Sequence, residues 1–99
     1  MYRFRVTVEP LSADASSEPL QFEVENHDDI LAIARRMNGR FDLDEDSSKA
    51  FAVGLKLFGE LVLKHRAKEP FSLIRPAFAE FMKAVKAKGQ PATEPAAKD

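Results

Sequence analysis

The chain has 99 residues, a formal net charge of −1 and no cysteine. That length makes one domain, and the near-neutral balance gives no global field to draw in nucleic acid or an anionic membrane surface. The missing thiols exclude disulfides, thiolate catalysis and thiolate metal sites. The longest apolar run, Ala50 to Leu55, is far short of the roughly 20 residues that span a bilayer. The N-terminus has no apolar leader pattern, so the expectation is a soluble cytoplasmic protein.

Two short segments alternate and match each other. Tyr2, Phe4, Val6 and Val8 alternate with Arg3, Arg5, Thr7 and Glu9; Leu20, Phe22 and Val24 alternate with Gln21, Glu23 and Glu25. An antiparallel register with paired numbers summing to 28 sets Phe4 against Val24 and Val6 against Phe22. The same register sets Arg3 against Glu25 and Arg5 against Glu23. One face is apolar and the other carries opposite charges, the pattern of a half-buried hairpin. Pro10 to Pro19, rich in Ser, Ala, Asp and Glu, connects the strands and blocks their extension.

Asn26 and Asp29 resemble a capping arrangement at the start of a first helix. Ile30, Ile33, Ala34 and Met37 give it one apolar stripe, and Asn38-Gly39 ends it. Phe41-Asp42-Leu43 reads as a short extended piece, either a scrap of strand or a plug for the core. A second helix is expected from about Ser48 to Arg66, capped by Asp46 or Ser47. It is apolar around most of its circumference, which marks a central helix or one covered by a partner. Glu69-Pro70 breaks the chain. Pro76 fits the first position of a third helix, striped by Ile74, Ala77, Phe78, Phe81, Met82 and Val85 and ended by Gly89. Residues 89–99 have no apolar period and are expected to be a disordered tail. The fold class is therefore α+β: a two-stranded hairpin followed by three helices, forming one domain over residues 1–88.

Motifs for chemistry are few. Asp42-x-Asp44-x-Asp46 begins like a calcium loop, but Ser47 stands where that loop needs glycine and Val53 where it needs a bidentate acid. Gly54 and Gly59 have the spacing of phosphate-loop glycines, yet they sit inside a helix whose amides are already bonded. Close packing is the better account, because an interior glycine costs up to about 1 kcal/mol against alanine. His27 with Asp28 and Asp29 could offer a small-molecule or metal site, but zinc needs three or four convergent ligands. His65 sits among cations at a helix end. No nucleophile partner is visible for either histidine, so no catalytic residue, metal ligand or cofactor is assigned, and the balance leans away from an enzyme.

Three stretches taken together, Gln21 to Asp29, Phe51 to Glu60 and Arg75 to Lys83, resemble a family of small bacterial stand-alone proteins of unknown function. The resemblance covers nearly all of residues 2–88. It implies a bacterial, cytoplasmic domain and brings no catalytic or binding residues with it.

The leading functional expectation is a protein–protein interaction or self-association module, a homodimer or a complex with an unknown partner. Val53, Leu57 and Leu63 lie off the main stripe of the second helix and are the interface candidates. The alternative is nucleic-acid or anion binding through basic helix ends, Arg35, Arg36 and Arg40 in one cluster and Lys64, Arg66 and Lys68 in another. Charge balance disfavours it, as does the placing of the phenylalanines at core positions, away from bases. A third reading puts a small-molecule or metal site at residues 27–29.

Overall fold

A computed structural model describes residues 1–12 and 18–89. The elements follow in the order β1 (Tyr2–Val8), β2 (Leu20–Asn26), α1 (Ile30–Arg36), a 3-10 turn (Arg40–Asp42), α2 (Glu45–Lys64) and α3 (Phe71–Gly89). This is the expected α+β hairpin followed by three helices. The tail beyond Gly89 and the centre of the strand connection lie outside the described residues. Among the described residues, no helix is long and apolar enough to cross a membrane.

β1 and β2 pair antiparallel in the expected register, Phe4 opposite Val24 and Val6 opposite Phe22. The charges do not follow the direct pairing. Both arginines converge on Glu23, Arg3 at 2.8 Å and Arg5 at 3.1 Å. Arg3 thus reaches along the diagonal, a spacing that long side chains span.

α1 starts where Asp29 accepts a hydrogen bond from the Ala32 N–H at 3.4 Å, so Asp29 is the cap. Asn26 is not part of the cap and has another task, described below. After α1 the chain turns through Gly39, whose φ of 81° is left-handed. Phe41 and Asp42 follow at φ 61° and 58°. The expected extended piece is therefore a tight turn and adds no strand. The turn still delivers Phe41 to the core, where it meets Phe51 edge-on at 5.6 Å.

α2 begins three residues earlier than its sequence pattern suggests. Asp44, not Asp46 or Ser47, is the cap: it accepts from the Ser47 N–H at 2.7 Å. That is the spacing from cap to third helical residue. The helix ends at Lys64, two residues short of the expected Arg66, where the His65 N–H closes on the Leu61 carbonyl at 3.0 Å.

α3 begins at Phe71, and Pro76 lies inside it. The helix is already nucleated upstream, because Ser72 donates to the Lys68 carbonyl at 2.9 Å and Leu73 to the Pro70 carbonyl at 3.1 Å. Pro76 removes one bond, to the carbonyl of Ser72, and in the early turns of a 19-residue helix that loss does not end it.

The core is built from Ala34 of α1 and Met37 at its C-cap, Ala52 of α2 and Val85 of α3, with Ile33, Phe41, Phe51, Val53 and Leu55 packed around them. Phe51 meets Phe81 at 6.1 Å and Phe58 meets Phe78 at 5.7 Å, both edge-on, which sets α3 antiparallel along α2. Gly59 permits this approach: a Cβ there would lie 3.1 Å from the Phe78 ring. Gly54 has no such neighbour, contrary to the expectation of crowding at both glycines. The hairpin joins this core only in part. Phe4, Val6 and Val24 are half-buried, while Val8, Leu20 and Phe22 stay exposed, so its apolar face is incompletely covered by the helices.

Candidate functional site

The residues that join the hairpin to the helices sit where β2 runs into α1 and crosses the middle of α2. Asn26 is 2% exposed. Its Nδ2 donates to the Lys56 carbonyl at 3.0 Å and its Oδ1 accepts from the Asp28 N–H at 3.0 Å. One buried amide thereby closes the turn after β2 and fastens it to α2.

This clamp fixes the next two residues. The His27 N–H approaches Glu60 Oε1 at 3.4 Å, and its Nδ1 lies 3.1 Å from the same oxygen. Glu60 is 8% exposed, a charged side chain on a mostly apolar helix. Its Oε2 lies 3.0 Å from Nδ1, within ion-pair distance, yet outside hydrogen-bonding geometry, and has no hydrogen-bond partner. An Nδ1–H directed at a carboxylate leaves Nε2 as the ring's remaining polar atom. Asp28 accepts at 2.7 Å from Nζ of Lys56, which lies one helical turn before Glu60 on the same face of α2. That hydrogen bond holds the Asp28 carboxyl below its ordinary pKa, against the opposing effect of partial burial, and the charges of Lys56, His27 and Lys86 add to it.

Two grooves flank α2. One, of about 640 Å³, runs between β2 and α2 and is lined by Phe22, Val24, Leu57, Phe58 and Leu61, with Arg3, Glu23, Glu25 and Lys64 also at the site. The other, of about 750 Å³, follows the seam between α2 and α3. Leu63, Phe78 and Met82 give it apolar walls, and His27, Lys56, Arg66, Arg75, Lys83 and Lys86 line it as well. Glu60 borders both grooves.

The residues singled out from sequence are dispersed. His27, Asp28 and Asp29 separate into three tasks: a contact with Glu60, an ion pair with Lys56, and a helix cap. Val53 packs against the core, Leu57 lines the hairpin groove and Leu63 lines the α2–α3 groove. Arg35 and Arg36 are exposed in the last turn of α1, and Arg40 is half-buried in the 3-10 turn. Lys64 and Arg66 belong to different grooves, and Lys68 lies in the turn before α3. Among the described residues, no three His, Asp or Glu side chains converge on a metal position. His65 lies 5.6 Å from the Phe71 ring, tilted by 35°. Asn26, Lys56 and Glu60 were not foreseen as site residues. Glu60 alone left a trace in the sequence, a carboxylate amid the apolar positions of α2.

A hairpin clamped at one end onto α2, the longest of three helices, defines a small α+β domain with grooves on both sides of that helix. The chain belongs to the family described as Domain of Unknown Function with solved-structure structure (DUF3861), whose model matches residues 2–87. It is similar to a crystal structure of a protein of unknown function from Pectobacterium atrosepticum SCRI1043, with 32% identity and a TM-score of 0.77. That match covers 86% of this chain and 95% of the other. Comparison with curated proteins finds no match. Family and neighbour alike carry no assigned activity.

Proposed function

We propose that this domain is a non-enzymatic interaction module that self-associates through the open face shared by β2 and α2. The observation that carries this reading is the exposure of Phe22, Phe58 and Leu61, at 41%, 43% and 45%, around one groove. Leu57, half-buried in the same groove, continues the patch. Clustered apolar groups of this kind mark interfaces, whereas singly scattered ones do not. The charges around the groove favour a second copy of this chain as the occupant. A two-fold interface sets one patch against itself, so it needs both signs of charge, and Arg3 and Lys64 accompany Glu23 and Glu25 there. A cytoplasmic setting belongs to this reading and is supported by the absence of cysteine.

Analytical ultracentrifugation across micromolar concentrations tests it. The expected result is a concentration-dependent dimer that Leu61→Glu converts to a folded monomer. A wild-type chain that sediments at the monomer mass of 11.1 kDa throughout removes self-association.

A further inference from the structure

We infer that the groove between α2 and α3 binds a small organic anion with an apolar body. The groove lies on the opposite side of α2 from the proposed self-association face, and the inference does not depend on that reading.

Charge is the first argument. Five cations line the groove, Lys56, Arg66, Arg75, Lys83 and Lys86, together with His27, against the two carboxylates Asp28 and Glu60. Asp28 is engaged by Lys56 at 2.7 Å, and Glu60 meets His27 through Oε1 while its Oε2 has no hydrogen-bond partner. Lys83 reaches Glu80 only at 3.7 Å. Arg66, Arg75 and Lys86 have no ion-pair partner among the described residues. Two carboxylates against five cations leave the cleft with an excess of positive charge, including on Lys86, which also acts on Asp28, and such an excess raises the local concentration of anions.

Shape is the second argument. A volume of about 750 Å³ falls in the range of small-molecule sites, which combine apolar walls with a few placed polar groups. Leu63, Phe78 and Met82 supply the walls. The two arginines supply planar donor forks suited to carboxylate, sulfonate or phosphate. Position is the third argument. His27, held through Nδ1 by a carboxylate that is itself buried, is the groove's one orientable polar ring, with Nε2 unpartnered among the described residues. A ligand whose head group meets the arginines and whose body covers Phe78 and Met82 satisfies the first two features, and a polar group on that body facing His27 satisfies the third.

The test uses 8-anilinonaphthalene-1-sulfonate, an aryl sulfonate, titrated at low salt and followed by fluorescence and by two-dimensional NMR of the full chain. Expected are saturable binding at one site per chain and amide shifts centred on Arg66, Arg75, Phe78 and Met82. The double variant Arg66→Gln, Arg75→Gln, which alters two exposed side chains, should weaken binding about tenfold or more. Leu61→Glu, in the other groove, should leave the affinity unchanged. The uncharged N-phenyl-1-naphthylamine should bind at least tenfold more weakly than the sulfonate. The inference is overturned if the sulfonate does not saturate, or if its shifts map to Phe22, Phe58 and Leu61. It also falls if the double arginine variant binds as well as wild type while remaining folded by circular dichroism, or if a glutamate-rich peptide shifts the groove amides and the sulfonate does not.

Discussion

The Nδ1 atom of His27 lies 3.1 Å from Oε1 of Glu60, a residue 33 positions further along the chain. With the neighbouring bond from Asn26 to the Lys56 carbonyl, this contact ties the end of the hairpin to the middle of α2. A few partly buried polar contacts therefore help to place the hairpin against α2, and its apolar face stays partly open.

Asn26 is the residue on which that tie depends most. Asn26→Ala removes both the donor to the Lys56 carbonyl and the acceptor for the Asp28 N–H. Leaving buried polar groups unmatched costs about 1–3 kcal/mol. Urea unfolding followed by circular dichroism should show a loss of that size, with little change in slope. A loss below about 0.5 kcal/mol would mean that water replaces both bonds.

The two glycines of α2 should respond differently to alanine. At Gly54 nothing lies within 4 Å of an added Cβ, so Gly54→Ala should raise stability by about 0.5–1 kcal/mol through helix propensity. At Gly59 the Cβ meets the Phe78 ring at 3.1 Å, and that ring is held edge-on against Phe58. Gly59→Ala should fall at or below wild type. Paired thermal melts check this, and an equal gain at both sites would show that Phe78 yields freely.

Acid should weaken the fold through Asp28. Its folded pKa is depressed, chiefly by the hydrogen bond from Lys56. The associated stability is therefore present above the unfolded carboxylate value near 3.8 and is lost as pH falls through the lower folded value. The side chain is half-exposed, so solvent screening keeps this contribution to about 1 kcal/mol or less. Asp28→Asn should be less stable than wild type at pH 7, and the gap should narrow between pH 4 and pH 2. Parallel unfolding curves at each pH check the sign.

The diagonal ion pairs of the hairpin separate Glu23 from Glu25. Glu23 receives both Arg3 and Arg5, whereas Glu25, directly opposite Arg3, receives neither among the described contacts. Glu23→Ala should cost a few tenths of a kcal/mol, reduced by added salt, as exposed pairs do. Glu25→Ala should be close to neutral. Equal effects from both would indicate that the arginines exchange between the two acids in solution.

Much of the fold is legible in the sequence alone. The hairpin register follows from two short alternating stretches whose faces must match, and a slip of one residue would expose every apolar side chain. The first helix could be placed because its stripe and its cap are local signals. The ends of α2 and α3 were less legible. Asp44, Asp46 and Ser47 are all competent caps, and only the path out of the left-handed turn at Phe41 and Asp42 selects Asp44. Pro76 signals a helix start by itself, but the turn at residues 68–70 had already begun α3.

The sequence by itself determined the class of the domain: a hairpin and three helices, without thiol chemistry and with little net charge. It did so because strand alternation, helix stripes and caps act over a few residues. The tertiary structure alone decided which polar residues meet. Asn26 reaches Lys56 and His27 reaches Glu60 across 30 and 33 residues, and no local period records such distances. The same packing divided Leu57 from Leu63 and Lys64 from Arg66, residues close in sequence that α2 turns toward different grooves. A helix sets neighbours along the chain at different angles around its axis, so the meaning of each residue depended on what packs on either side.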